Sequence, residues 1–314
     1  MNVIDLHCDV LYKLSIMDKP VSFINDPSLQ ANKERLIAGN IRVQFFAIYV
    51  APGLSPQQQF MSALRQIELF HSHILAPNND IVHITEWSQL DQLGEQEIGA
   101  VLTLEGLDSI GDSLEKLKVL LKAGVKLVGL TWNQANAVAH GADEPPHLGL
   151  TSFGRQVVDL LNERNILVDV SHLNEQSFWD VMKVAKHVIA SHSNARVLCD
   201  HPRNLSDDQA RALVNKGGHI HLVYFPMFIN KEVEVVTLED FMKHFVYLAD
   251  LVGVQHLGLG SDFDGISVFV EDLHDASQTQ RVIHALRNHF KEEQIQGIAS
   301  DNFKKYIKKV IATS

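Results

Sequence analysis

Short apolar runs alternate with longer amphipathic stretches along nearly the whole chain, and this rhythm leaves few folds open. The runs lie at residues 3–4, 41–50, 98–104, 126–130, 166–170, 187–190, 219–223 and 257–259. Several are rich in Val and Ile and too short for buried helices, so they read as strands of a parallel sheet covered on both faces. Helical spacing of apolar residues fills the intervals 56–75, 113–123, 152–164, 174–184, 207–215, 238–251 and 278–289. Asn174 and Thr237 are suited to cap two of these helices. Eight strands alternating with helices over 314 residues predict a single (β/α)8 TIM barrel domain spanning 1–314. An open doubly wound sheet uses the same alternation, so rhythm alone does not separate the two.

Composition narrows the function. Hydrophobic residues make up 46% and charged residues 21%, as in a soluble globular enzyme. With 27 Lys and Arg against 38 Asp and Glu, the net charge is −11. An acidic chain without a basic cluster is a poor partner for nucleic acid or for an anionic membrane surface. No apolar run is long enough for a membrane span, and nothing at the N-terminus reads as an export signal. Cys8 and Cys199 are too few for a disulfide scaffold, which fits a reducing, cytoplasmic location. Seventeen histidines is a high count, so their positions matter.

Two of them close apolar runs at matching places: His172 just past the fifth and His192 just past the sixth. His7 and Asp9, two apart at the end of the first run, would point to the same side of a strand. An imidazole beside a carboxylate suits a zinc-like metal. Glu105 ends the third run, where burial is costly unless the carboxylate is paired or metal-bound, and where it could bridge two ions. Asp262 closes the eighth run and could pass a proton from a metal-bound water to a leaving amine. Asp169, inside the fifth run, is either a partner for a histidine or a satisfied core carboxylate. Any one of these residues alone is more simply a loop or core group. Together they sit at the C-terminal ends of the first, third, fifth, sixth and eighth runs. A closed barrel lets such residues meet, and a barrel holds its active site at that rim. The reading is a metal-dependent hydrolase.

The segments Asp5-Leu6-His7-Cys8-Asp9, Leu104-Glu105-Gly106, Asp169-Val170-Ser171-His172, Ser191-His192-Ser193-Asn194-Ala195, Pro202-Arg203-Asn204 and Gly260-Ser261-Asp262-Phe263-Asp264-Gly265 match, in order and spacing, the membrane dipeptidase family. The resemblance runs from Asp5 to about Phe303. It implies a barrel holding two Zn²⁺ ions, with His7 and Asp9 on one, His172 and His192 on the other, and Glu105 bridging both. It further implies a bridging hydroxide as nucleophile, Asp262 as the proton-transferring group, and Arg203 as the holder of a small dipeptide's free C-terminal carboxylate. Barrels of this family often pair, so a homodimer is expected. One departure stands out. The animal enzymes carry a substrate-contacting histidine where this chain has Trp132, in Leu130-Thr131-Trp132-Asn133. Polarisation of the scissile carbonyl then falls to zinc or to the nearby His140, and Trp132 becomes a packing residue or a pocket wall.

Two other readings compete. A lactonase or other amidohydrolase-superfamily hydrolase would usually bridge its metals with a modified lysine, and Glu105 occupies that place here. A barrel that had lost catalysis would tend to have an eroded ligand set, and all six key residues are present. Of the remaining histidines, His71, His73, His244, His284 and His289 read as surface or packed helix residues, and His187, His219 and His221 as core residues or as partners of a ligand rather than ligands themselves. His147 and His201 lie in loops that could border the site. Cys8 points away from its neighbours His7 and Asp9 and reads as core.

Overall fold

All eight apolar runs become parallel strands, and the sheet they form closes on itself. In a computed structural model that describes residues 1–19 and 21–312, the strands are β1 (Val3–Cys8), β2 (Ile41–Tyr49), β3 (Ile81–His83), β4 (Ile98–Glu105), β5 (Val125–Gly129), β6 (Leu167–Asp169), β7 (Val188–Ala190), β8 (His219–Leu222) and β9 (Leu257–Leu259). The final two positions of the expected 1–314 domain lie outside the described residues. Neighbours run β2-β1-β9-β8-β7-β6-β5-β4, and β2 also pairs with β4 from Val43↔Gly99 to Tyr49↔Glu105. That last pairing shuts the ring and eliminates the open sheet. The ninth strand, β3, was not anticipated. It pairs only with the first residues of β4, below the point where β5 takes over, and three residues are too few to display a strand's alternation.

Helices fill the predicted intervals. The 56–75 stretch is an α-helix over Pro56–Leu69 that continues as a π-helical turn, Phe70–Leu75. Asn174 caps the helix Glu175–Val184 by accepting from Ser177 N, and Thr237 with Asp240 forms a capping box ahead of Leu238–Val252. Among the described residues, no helix is long and apolar enough to cross a membrane.

Alternation along each strand splits the core in two. Ile4, Leu6, Val43, Phe45, Val101, Leu127, Leu167 and Ile189 pack in one cluster inside the barrel. Their neighbours Phe46, Leu102, Val128 and Val168 pack outward against the helices. The inner cluster is completed by Phe303, Tyr306, Ile307 and Val310 of the C-terminal helix Asn302–Ala312. This helix stops the lower mouth with apolar side chains, and the upper mouth is left for polar ones. Phe303 is 2% exposed and meets Phe45 edge-on at 5.5 Å. Phe303→Ala is therefore expected to cost about 3–5 kcal/mol in chemical denaturation. A loss below about 1 kcal/mol would show that the barrel does not depend on this plug.

Candidate metal centre

The rim is where the ligand-type residues gather. His7 is the penultimate residue of β1, and Asp9 sits at the N-cap position of the helix Val10–Ile16 that follows, its side chain making no capping hydrogen bond. Glu105 ends β4, while His172, His192 and Asp262 lie just beyond β6, β7 and β9. His172, Asp262 and Asp264 take positive φ angles of 66°, 67° and 69°. Non-glycine residues seldom adopt that conformation, and it persists only where the surroundings impose it.

Glu105 stands between two groups. His7 Nε2 lies 3.7 Å from Glu105 Oε2, 3.4 Å from Asp9 Oδ2 and 3.8 Å from Asp262 Oδ1. On the other side, His172 Nε2 is 2.9 Å and His192 Nε2 3.8 Å from Glu105 Oε1. The two Nε2 atoms are 2.8 Å apart. All of these side chains except that of Asp262 are buried.

The donor atoms fit cations. His7 Nε2 and Asp9 Oδ1 are buried without a hydrogen-bond partner. His172 Nδ1 donates to Asn133 Oδ1 at 2.7 Å, so its Nε2 carries a bare lone pair facing a carboxylate oxygen. Lone pairs on oxygen and nitrogen at this separation repel unless a positive charge lies among them. The electrostatics say the same. Burial works against a charge on His7, yet the Glu105 and Asp9 carboxylates hold its pKa well above the ordinary range. Burial pushes Asp9 well up, and Glu105 adds to it. Burial would raise Glu105 too, but His7 and His172 hold it well below the usual carboxylate range. Burial, helped by Arg203, drives His172 down to about 3, and burial with His7 pushes His192 well down. Those two rings are neutral, the form in which imidazole ligates a metal. Space is kept for the carboxylates as well. A Cβ on Gly265 would come within 2.6 Å of Asp262 Oδ1 and nearer still to Asp9 Oδ2.

A cavity of about 370 Å³ opens above this cluster. Its walls include Tyr12, Tyr49, Trp132, Phe225, Phe228 and Ile266, and Asp262 lines it as well. Burial, opposed by His7 and reinforced by Glu105, pushes Asp262 up to about 6. Arg203 is buried behind that lining. Its guanidinium lies 5.4 Å from the Phe228 ring centre, its Nη2 donates to His192 O, and its Nε has no partner. Burial lowers it to about 10, against the pull of Asp262 and Glu105, so it keeps its charge at neutral pH.

Trp132 is a wall of the cavity, its ring 5.3 Å from Tyr49 and 6.1 Å from His172. His140 is not brought to the cluster. Its Nδ1 donates to Gly149 O at 2.8 Å, and it is not among the cavity-lining residues. His201 packs on Phe228, while His147 is exposed. His244, His219 and His221 are buried, as is Cys8. Sequence reasoning missed Tyr12, Tyr49, Phe225 and Phe228. Tyr49 and Phe225 were within its reach, since one ends β2 and the other follows β8 at the same rim. Asp264 lines the rim without being free to react: Lys13 Nζ lies 3.1 Å from it, and the backbone N–H groups of Gln30 and Ala31 donate to it.

The profile of the membrane dipeptidase family, peptidase family M19, matches residues 1–314. Dipeptidase aclJ of Aspergillus oryzae is 30% identical over 275 residues, covering 82% of this chain and 64% of that protein. The chain thus matches less than two thirds of the Aspergillus protein's length. An uncharacterized dipeptidase of Schizosaccharomyces pombe is 28% identical over 332 aligned residues, covering 98% of this chain and 80% of that protein. A metallo peptidase from Rhodobacter sphaeroides, solved with a phosphinate mimic of the dipeptide L-Ala-D-Ala, superposes with a TM-score of 0.90 over 99% of both chains at 23% identity. That likeness speaks for the fold. Since the family profile spans the sequence from end to end, this chain belongs to the membrane dipeptidase family.

Proposed function

We propose that this protein hydrolyses the peptide bond of dipeptides with a free C-terminal carboxylate, using two zinc ions. The observation that carries the reading is the convergence of His7, His172 and His192 on the two oxygens of Glu105, with Asp9 3.4 Å from His7 Nε2 and with buried, unpartnered atoms at His7 Nε2 and Asp9 Oδ1. In this reading His7 and Asp9 would hold one ion and His172 and His192 the other, with Glu105 a ligand available to either site. When bound, the ions supply an acidified water and a Lewis acid for the scissile carbonyl.

The remaining steps fall to the chain's own groups. Asp262 accepts a proton at its carboxylate and delivers it to the leaving nitrogen. A pKa of about 6 lets one group do both near neutral pH. Arg203 receives the substrate's carboxylate, for which its planar fork is matched, and its unpartnered Nε is the donor still to be satisfied. A cavity of about 370 Å³ is at the small end for a ligand site, which suits a dipeptide better than a longer chain. Its aromatic walls favour apolar side chains, and Trp132 serves as one of those walls.

Metal analysis of the purified protein is expected to find about two zinc equivalents. Chelation should abolish dipeptide cleavage and added zinc should restore it; turnover of lactones in place of dipeptides would overturn the substrate class. Asp262→Asn should lose about 10²–10⁴-fold in kcat while keeping its zinc. Full activity in that variant would remove Asp262 from proton transfer. Gly265→Ala should fold with a near-normal Tm but bind zinc at least about tenfold more weakly in a chelator competition, because its methyl group displaces Asp9 and Asp262.

A further inference from the structure

A ligating imidazole must offer a bare nitrogen, and some partner must keep the proton on the other one. For His172 that partner is the Asn133 carbonyl oxygen. For His192 it is a hydroxyl, and a hydroxyl can either give or take a proton. Ser191 Oγ lies 2.6 Å from His192 Nδ1 and also makes a short hydrogen bond to Asp169 Oδ2. Asp169 is buried, and its Oδ1 accepts from the backbone N–H groups of Ser171 and Ser191 at 3.0 Å each. A carboxylate only accepts, so the single Ser191 proton goes to Asp169. The hydroxyl is then left with lone pairs alone for the imidazole. Ser171 Oγ, at 3.4 Å from Ser191 Oγ, is a weaker acceptor and does not change this order.

We infer that Asp169 is a positioning residue, which acts through Ser191 to lock His192 in the Nδ1–H tautomer and turn its Nε2 lone pair toward the metal position. The inference rests on the metal-binding reading given above. A second clasp of the same build shows what is particular here. Asp5 accepts from Ser261 N at 2.7 Å and from Ser261 Oγ at 2.6 Å, joining β1 to the end of β9 as Asp169 joins β6 to the end of β7. The residue after Ser261 is Asp262, which has no ring proton to direct. The Asp5 clasp therefore ends at the backbone, and the Asp169 clasp continues into a ligand.

The relay makes an unusual prediction for an isosteric change. In Asp169→Asn, the amide oxygen can keep both backbone hydrogen bonds, which turns the amide N–H groups onto Ser191 Oγ. The hydroxyl proton must then point at His192 Nδ1, and the ring switches to its Nε2–H form, presenting a donor to the cation. Ser191→Ala only removes the lock and leaves both tautomers accessible. Because His172 Nε2 lies 2.8 Å from His192 Nε2 and competes for the ring proton when no cation lies between them, the tautomer is read with zinc present: nitrogen-15 NMR of the imidazoles in the zinc-titrated, full-length protein should report an Nδ1–H ring for His192 in the wild type, an Nε2–H ring held off the metal in Asp169→Asn and a mixture of the two in Ser191→Ala. Zinc affinity measured by chelator competition should fall at least about tenfold in Asp169→Asn, with Ser191→Ala between it and the wild type. A purely structural role would weaken folding in both variants without this order and without a tautomer switch. If Asp169→Asn does not fold, the Ser191→Ala spectrum decides the matter. Wild-type zinc affinity in Asp169→Asn, or an Nε2–H ring in the wild type, overturns the relay. A wild-type protein that takes up no zinc overturns the metal reading instead, and the relay that rests on it.

Discussion

A charged carboxylate buried at the end of a barrel strand must be answered by positive charge, and Glu105 is that carboxylate. Its position follows from closure. Pairing of β2 with β4 runs up to Tyr49↔Glu105, and β5 flanks the other side at Gly129. Held between two strands, Glu105 has its backbone fixed at the rim, and its side chain is buried there. The chain meets the demand with imidazoles from β1, β6 and β7. Without a cation, His7 takes a proton in its place, held there by Glu105 and Asp9 although burial opposes it. His172 and His192 stay neutral at the same carboxylate. This division leaves lone pairs facing inward from several strands. A divalent ion resolves that arrangement, and a hydrophobic core would not tolerate it.

The two ends of the barrel divide the work along the lines this fold imposes. The lower mouth is sealed by Phe303, Tyr306 and Ile307 on a helix whose apolar stripe continues the barrel's inner cluster. Its contribution is burial, and it does not need accurate placement of polar atoms. The upper mouth gathers the strained residues, His172, Asp262 and Asp264, on left-handed backbone. Such strain is tolerable there because the lower core and the Asp5 and Asp169 clasps hold the strand ends together. Stability and chemistry are thereby assigned to different residues of the same strands.

Most of this was legible in the sequence, for a physical reason. Apolar runs mark strands, and a polar residue at the C-terminal end of such a run is conspicuous because the barrel interior would otherwise exclude it. His7, Glu105, His172, His192 and Asp262 all satisfy that condition, and the structure brings them to one rim. The rule fails where its signal is weak. The β3 strand has too few residues to show a period. Tyr12 lies on a helix rather than at a strand end, so nothing in its surroundings marks it as a cavity wall. His140 looked close because it follows Trp132 by only a few residues, but its ring turns to the Gly149 carbonyl. Proximity along a loop carries no information about direction. The Asp169 relay was half visible: the carboxylate could be assigned to the core or to a histidine, and only the Ser191 hydroxyl between them decides.

Trp132 alters how the proposed reaction must be shared out. A histidine at this position could donate a hydrogen bond to a developing oxyanion. The indole of Trp132 instead packs near Tyr49 and His172, where it gives the cavity a flat apolar wall. In the proposed reaction, stabilisation of that charge would then fall to the cations as Lewis acids and to Arg203, the charged donor buried behind the lining. Water exclusion strengthens both, because a cation or a guanidinium interacts more strongly with a developing negative charge when the local dielectric is low. An aromatic wall at this position thus fits the proposed reaction, in which metal ions would polarise the carbonyl. In the same proposed reading, the space beside Trp132 favours apolar side chains on the substrate.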